Sequence, residues 1–198
     1  MHKITFLSFF ICSVITSKAQ IAASGIYKFI NLNPSARVSS LGGANVSIID
    51  KDLNLSLQNP ALLNKQMRNQ VTFNTVNFVS DISLGYVAYA FGFGAGTSSV
   101  GIQYINYGKF LGATSSGVST GSFTAGEYNL QVSYGKQYKH FSYGTSLKMI
   151  YSNMNVAKSL GVATDWGGVY RSSDSLFTAG LVVKNIGYQL AQVHKFNQ

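Results

Sequence analysis

The sequence predicts an all-β protein, an antiparallel β-barrel that crosses a membrane with its strands. From residue 69 onward, apolar residues alternate with small or polar ones at a period of two, the pattern of strands buried on one face. The alternating segments are mostly 9–14 residues long, which suits a tilted membrane-spanning strand. Charged residues make up only 11% of the chain, about half the share found in soluble domains. One side of the strands is therefore expected to face lipid, and in the second strand this side is predicted to carry Ile82, Leu84 and Tyr86.

About seven strands are predicted in residues 70–198. Short connections are expected on the periplasmic side and longer ones on the outside, which is the rule for outer-membrane barrels. The predicted strands lie at 70–78, 81–91 and 98–108, and around 128–135, 141–151, 160–167 and 177–184. The predicted short turns are 92–97, 138–140 and 171–174, and the predicted external loops are 108–124 and 153–158.

Residues 1–19 have the pattern of a cleaved signal peptide. An apolar run of twelve residues from Ile4 to Ile15 is followed by the small-x-small sequence Ser17-Lys18-Ala19. The run is too short for a membrane-spanning helix, which needs about twenty apolar residues. The single cysteine, Cys12, lies in this leader, so we expect an exported chain without thiol or disulfide chemistry.

The exported chain, from Gln20 onward, is basic. It keeps 13 basic residues against six acidic ones, a net charge of +7. These basic residues are scattered singly and form no stripe, so nucleic acid is not an expected partner. Outer-membrane lipid, including the headgroups of lipopolysaccharide, fits the charge better.

Residues 20–69 do not alternate and are predicted to form a separate N-terminal hatch. Two adjacent glycines suit positive φ angles or a close backbone approach. The Asn-Pro step favours a turn or a short helix that begins at Pro60. An ordinary N-terminal loop is the alternative interpretation. The markers of the hatch are Leu41, Gly42, Gly43 and Ala44, the acids Asp50 and Asp52, and Asn59, Pro60 and Ala61.

Aromatic residues cluster near the predicted strand ends, which suggests interfacial girdles at the two membrane surfaces. General β-propensity favours the same residue types and is the alternative explanation. The predicted girdle residues are Tyr104, Tyr107, Tyr138, Phe141, Trp166 and Tyr170.

The hairpin register predicts an ion pair inside the barrel. If the loop after the fifth strand centres near residue 156, Lys148 lies directly opposite Asp165. Both belong to the small-residue face, which points away from lipid, where an isolated charge would cost about 2–4 kcal/mol. We therefore expect an inward-facing cross-strand pair with a structural role.

No residue pattern predicts catalysis, a metal or a cofactor. The histidines His2, His140 and His194 are isolated, and no His, Asp or Glu cluster has ligand spacing. No serine lies in a Gly-x-Ser-x-Gly elbow. The glycines of 92–96 lack the Lys-Ser/Thr of a phosphate loop and are better explained by a turn. We expect a protein that is not an enzyme.

The order of the motifs resembles the FadL-like outer-membrane proteins. The matching stretches are SARVSSLGGANVS, LQNPALLN, GIQYINYGKF and AGEYN, and the resemblance extends from about Tyr27 to Gln189. Within that superfamily the sequence is most similar to the PorQ-like family of the type IX protein secretion system. The resemblance implies fourteen strands wrapped around the hatch. Seven strands are about half of such a barrel, so we expect an N-terminal partial chain. A seven-stranded unit that closes by pairing with a second chain is the alternative.

The resemblance also implies a function at the cell outer membrane. PorQ-like proteins are expected to anchor an attachment complex with PorZ-, PorU- and PorV-like partners, which process secreted cargo and attach it to the surface. The first alternative is a FadL-like channel for hydrophobic small molecules, in which the hatch moves. The second is a soluble exported β-sandwich or adhesin.

Overall fold

The computed structural model describes residues 27–113, 116–154 and 157–194. The predicted signal peptide lies outside these residues. The described chain forms one antiparallel sheet of seven strands, preceded by a segment of short helices. No helix in these ranges has the length and apolar character needed to cross a membrane.

The seven strands are joined as a meander, so each pairs with the next one along the chain. The sheet does not close, because no pairing joins the first and last strands within the described residues. The all-β antiparallel prediction is confirmed at this level. The strands are β1 (Val71–Asn77), β2 (Ser83–Phe93), β3 (Gly96–Ala113), β4 (Ser119–Tyr138), β5 (Phe141–Met154), β6 (Ala157–Arg171) and β7 (Thr178–His194).

The N-terminal segment, residues 28–67, contains one short α-helix and four 3₁₀ turns. The helix α1 spans Ala36–Ser40, and Ser35 caps it by accepting a hydrogen bond from the Val38 N–H at 3.3 Å. We call residues 28–67 the plug because they cover one face of the sheet. The 3₁₀ turns are Lys28–Asn31, Leu53–Leu57, Pro60–Leu62 and Lys65–Met67.

The face of the sheet beneath the plug, here the inner face, carries the core. Leucines from the 3₁₀ turns pack against Tyr86, Ala88 and Ala90 of β2 and against Val169 of β6. Farther along, Phe29 and Ile30 pack against residues from β2 to β6. The plug therefore supplies much of the buried apolar area that an open sheet lacks by itself.

The opposite, outer face exposes the apolar half of each strand. Leu130, Val132 and Leu147 are 42%, 49% and 64% exposed, and nothing in the described chain packs over them. The predicted outer face is the one that the structure has in β3 to β7. In β2 the prediction is wrong: Leu84 and Tyr86 are buried beneath the plug, and Val87 and Tyr89 are exposed instead, because both faces of this strand are apolar.

The two predicted external loops are mostly strand. β3 and β4 stay paired through Lys109–Thr124 and Phe110–Phe123, whose rings stack 5.3 Å apart, and the pairing continues to Ala113. β5 and β6 stay paired to Met154 and Ala157. The prediction was wrong because serine, threonine and glycine conceal the alternation, while backbone hydrogen bonds across a hairpin do not need an apolar face.

Candidate functional site

The Asn59-Pro60-Ala61 motif forms the buried turn that seats the plug. Asn59 caps the 3₁₀ turn, since its Oδ1 accepts a hydrogen bond from the Ala61 N–H at 2.9 Å. Its Nδ2 donates to the Val46 carbonyl at 2.8 Å. Asn59 has no exposed surface, so both bonds are shielded from water. The motif therefore holds together two parts of the plug that lie 13 residues apart.

A row of three glycines receives this turn on the inner face. Gly135, Gly144 and Gly167 lie directly opposite one another on β4, β5 and β6. A Cβ atom at Gly135 would lie 2.7 Å from the Pro60 carbonyl oxygen. A Cβ at Gly144 would meet the backbone of Pro60, and one at Gly167 would overlap Asn59 Oδ1. The missing side chains form a notch that admits the plug backbone.

Sequence reasoning missed this glycine notch, because the three glycines were counted only as small residues. A signal was present in the sequence. Each glycine has the inward phase of its strand, and the registers of β4 with β5 and of β5 with β6 place the three in one row. Three small residues aligned across successive strands indicate a close backbone approach.

The Leu41-Gly42-Gly43-Ala44 motif ends α1. Gly42 and Gly43 have φ angles of +94° and +76°, and the Gly43 N–H donates to the Val38 carbonyl at 2.9 Å. No atom lies within 4 Å of a Cβ built at either glycine. Backbone conformation, rather than close packing, is thus the reason for glycine here.

The two acids of the plug share one arginine. Arg37 on α1 donates from Nη1 to Asp52 Oδ2 at 2.9 Å and from Nη2 to Asp50 Oδ2. The Lys51 N–H also donates to Asp50, and this bond is the main reason why the pKa of Asp50 lies below its ordinary value of 3.8. The side-chain hydrogen bonds of Asp52 and Asp50 raise the pKa of Arg37. The cluster ties α1 to the stretch at 50–52.

Acid should release this Arg37 cluster. Because folding lowers the pKa of Asp50, its stabilisation is complete above about pH 3.8 and disappears as the pH falls through the lowered pKa. An NMR titration of the Asp50 carboxyl should show a midpoint below 3.8, and Arg37→Gln should raise that midpoint. The matched change Lys65→Gln, at an exposed lysine of the plug, should leave it unchanged. An unaltered midpoint in Arg37→Gln would contradict the shared cluster.

The structure brings Lys148 and Asp165 together on the inner face. Lys148 Nζ lies 2.6 Å from Asp165 Oδ2, and both side chains are almost completely buried. Asn185 completes the group: its Oδ1 accepts from Lys148 Nζ at 2.7 Å, and its N–H donates to Asp165 Oδ1 at 2.8 Å. Asn185 Nδ2 donates to Asn31 Oδ1 at 2.8 Å, which connects the pair to the plug.

The register of this pair differs from the predicted one. Lys148 lies opposite Ala163, and Asp165 lies opposite Ser146, so the two residues are diagonal neighbours. The hairpin pairs Met154 with Ala157, which places its centre slightly earlier than predicted. The prediction of the shared face does not change, because diagonal neighbours remain within reach of long side chains.

Five of the six predicted girdle residues lie on the outer face, at three different heights along the strands. Tyr138, Phe141 and Tyr170 are exposed on the outer face near the tight turns, and the Phe141 and Tyr170 rings are 5.0 Å apart. Trp166 is also exposed but lies farther from the turn, opposite Thr145 and closer to the sheet centre. Tyr104 belongs to the other end, in a cross-strand row with Tyr128 and Tyr151 on the outer face.

Tyr107 is the exception among the predicted girdle residues. Its hydroxyl donates to Glu127 Oε2 at 2.6 Å, and Glu127 is buried on the inner face. The ring packs against the core around Ile105 and Ile150. Proximity to a strand end was a poor guide here, because the odd positions of β3 point inward whatever their residue type.

The described residues contain no group of three His, Cys, Asp or Glu side chains that could hold a metal ion. His140 lies in the turn between β4 and β5, with Nε2 at 3.5 Å from Ser173 Oγ. The glycines at 92–96 form a tight hairpin in which Phe93 pairs with Gly96.

Comparison with known proteins does not assign the chain to a family. No family model matches the sequence, and no curated protein shows significant similarity to it.

Proposed function

We propose that this chain is a non-enzymatic outer-membrane component of a type IX protein secretion system, which anchors a cell-surface attachment complex. The observation that carries the proposal is the opposition of the two faces. The outer face exposes apolar and aromatic side chains, whereas the inner face lies under the plug and combines buried apolar contacts with polar side chains and glycines. Lipid is the environment in which such an outer face is stable.

The dimensions of the apolar face support a membrane location. The rise from Phe141 to Tyr151 along β5 is about 33 Å at roughly 3.3 Å per residue. With a tilt of about 40°, the height becomes about 25 Å, the height of the apolar band in outer-membrane barrels. Aromatic residues lie at both limits of this band, as in the girdles of such proteins.

The inner face supports an anchoring role over a channel for hydrophobic compounds. Asn129, Gln131 and Ser133 are buried there, and Gln103 donates to the plug carbonyls of Phe29 and Leu32. The side chains that could form the apolar lining of a channel are instead packed in the plug core; they are Leu53, Leu55 and Leu57. A FadL-like channel would require this core to open.

The β3–β4 hairpin is the proposed contact for partner proteins. It continues past the aromatic row of Tyr104 and Tyr128, and Leu111 and Val118 are 85% and 64% exposed there. Exposed apolar residues beyond the lipid band are suited to protein contacts. PorZ-, PorU- and PorV-like proteins are the partners that the motif resemblance implies.

Deletion of the gene in its host tests the proposed role. Loss of cargo from the cell surface, with unchanged uptake of long-chain hydrophobic compounds, is the expected result. A strain that retains its cargo would contradict the anchoring role, and lost uptake with retained cargo would support the channel. Complementation with Leu111→Asn should restore membrane insertion but not cargo retention, whereas Lys136→Gln, at the other end of β4, should restore both.

Extraction of membranes tests the location. We expect the protein to remain in the outer-membrane fraction after a carbonate wash, since its lipid-facing side chains would otherwise meet water. Recovery in the soluble periplasmic fraction or the medium would favour the exported sandwich or adhesin.

A further inference from the structure

The outer face contains a groove where one side chain is missing. Gly168 on β6 lies between Tyr143 on β5 and Leu181 on β7, and a Cβ built at Gly168 has no atom within 4 Å. The resulting groove has a volume of about 590 Å³. Unlike the glycines of the notch, Gly168 leaves this space unfilled by any part of the described chain.

The walls of the groove are aromatic and aliphatic. Phe141 and Tyr170 stand on one side, and Trp166 and Val183 stand on the other. These walls offer an apolar, elongated slot of the kind that a hydrocarbon chain fills. Aromatic side chains at this height also mark the boundary between the apolar and headgroup layers of a membrane.

Basic residues border the groove at its turn end. Lys139 lies in the turn between β4 and β5 with its Nζ 5.6 Å from the centre of the Tyr138 ring, and Tyr138 lies opposite Phe141 on the outer face. The His140 ring lies 6.5 Å from the Tyr170 ring, and the Arg171 N–H donates to the His140 carbonyl at 2.8 Å, so the two hairpins are adjacent. In the neighbouring turn, the carboxylate of Asp174 is already engaged by hydrogen bonds from a serine hydroxyl and a backbone N–H. The border of the groove thus carries positive charge.

We infer that this groove binds one acyl chain of an anionic phospholipid, with the phosphate held by Lys139. This inference rests on the proposed membrane location. An apolar slot that ends at a cation complements the two parts of such a lipid: the slot takes the chain, and the cation takes the phosphate. A zwitterionic lipid fits the slot equally well but gains less from the cation.

The single tryptophan of the chain reports on this groove. Trp166 lines it, and bromine atoms on an acyl chain quench tryptophan fluorescence on contact. The protein extracted from membranes is reconstituted into phosphatidylcholine vesicles that contain increasing amounts of brominated phosphatidylglycerol or brominated phosphatidylcholine. Half-maximal quenching is expected at a roughly fivefold lower mole fraction of the anionic lipid, since one cation near an anionic headgroup supplies about that preference.

Two variants test separately the apolar groove and the positive charge at its border. Gly168→Leu should fill the slot and remove the preference, and the open space around Gly168 allows this change without a clash. Lys139→Gln should leave the quenching by zwitterionic lipid unchanged while the anionic preference falls. Ala191→Leu adds the same side chain elsewhere on the sheet, opposite Leu160, and should behave like the unmodified protein.

Each outcome of the quenching experiment has a distinct meaning. Equal quenching by both lipids, unaffected by Gly168→Leu, would overturn the groove while leaving the membrane location intact. Absence of quenching by either lipid would contradict the membrane location itself. Recovery of fluorescence by lipopolysaccharide at a lower mole fraction than by unbrominated phosphatidylglycerol would overturn the assignment to phospholipid.

Discussion

Replacing Asp165 with asparagine is expected to lower the free energy of unfolding by about 3–5 kcal/mol, the cost of removing one partner from a buried ion pair. The amide keeps the shape of the side chain but leaves the buried ammonium of Lys148 without its counter-charge. Lys184 is close enough to interact electrostatically with both members of the pair, so the variant leaves two cations in one place. Urea unfolding of the protein in lipid vesicles, followed through Trp166 fluorescence, measures the loss.

Two further variants show whether the charge is the cause. Lys148→Met added to Asp165→Asn should recover much of the lost stability, because a neutral pair has no unpaired charge to bury. Asp174→Asn removes the same charge from an exposed turn and should change the free energy by less than about 0.5 kcal/mol. If Asp165→Asn lowered the free energy of unfolding as little as Asp174→Asn does, the buried ion pair would be refuted.

Replacing Gly144 with valine is expected to displace the plug. The new Cβ would lie 2.5 Å from the Pro60 carbonyl oxygen and from the Ala61 nitrogen, and backbone atoms cannot move away as a flexible side chain can. Overpacking of this kind costs about 1–3 kcal/mol and sometimes more. We expect a loss of about 3 kcal/mol, at the upper end of that range, and faster protease cleavage within residues 36–67.

Gly168→Val is the matched control for Gly144→Val. Both glycines lie in central strands, but Gly168 has open space on the outer face where Gly144 has the plug backbone. The control should therefore keep the stability and protease resistance of the unmodified protein. Equal sensitivity of the two variants would show that β-sheet glycine itself, rather than the notch, determines the result. Resistance of Gly144→Val to protease would mean that the plug is not seated on this row.

The plug motifs show which features a residue pattern can predict and which it cannot. Asn59 before Pro60 predicts a turn with Pro60 as its first residue, and the structure has that turn. The pattern contains no information about what the turn contacts. Its neighbours come from β4, β5 and β6, which lie far along the chain from the motif. The role of the motif, which is to hold the plug on the glycine notch, is thus visible only in the tertiary structure.

Tyr107 and the long β3–β4 hairpin show where residue patterns mislead. An aromatic residue near a predicted strand end is expected on the outer face, although the odd position of Tyr107 places it with Gln103 and Ile105. The stretch of glycine, serine and threonine predicts a loop, although its backbone stays paired. In both cases the backbone geometry of the strand outweighed the preference of the side chain.

Period-two alternation by itself determined the all-β class, the inward and outward faces of β3 to β7 and the shared face of Lys148 and Asp165, because side-chain direction along a strand is a local property. The tertiary structure alone decided the diagonal register, the contribution of Asn185 and the fit of the plug on the glycine notch. These features depend on contacts between residues distant in sequence, and a small shift of a hairpin centre changes every such contact while leaving the alternation unchanged.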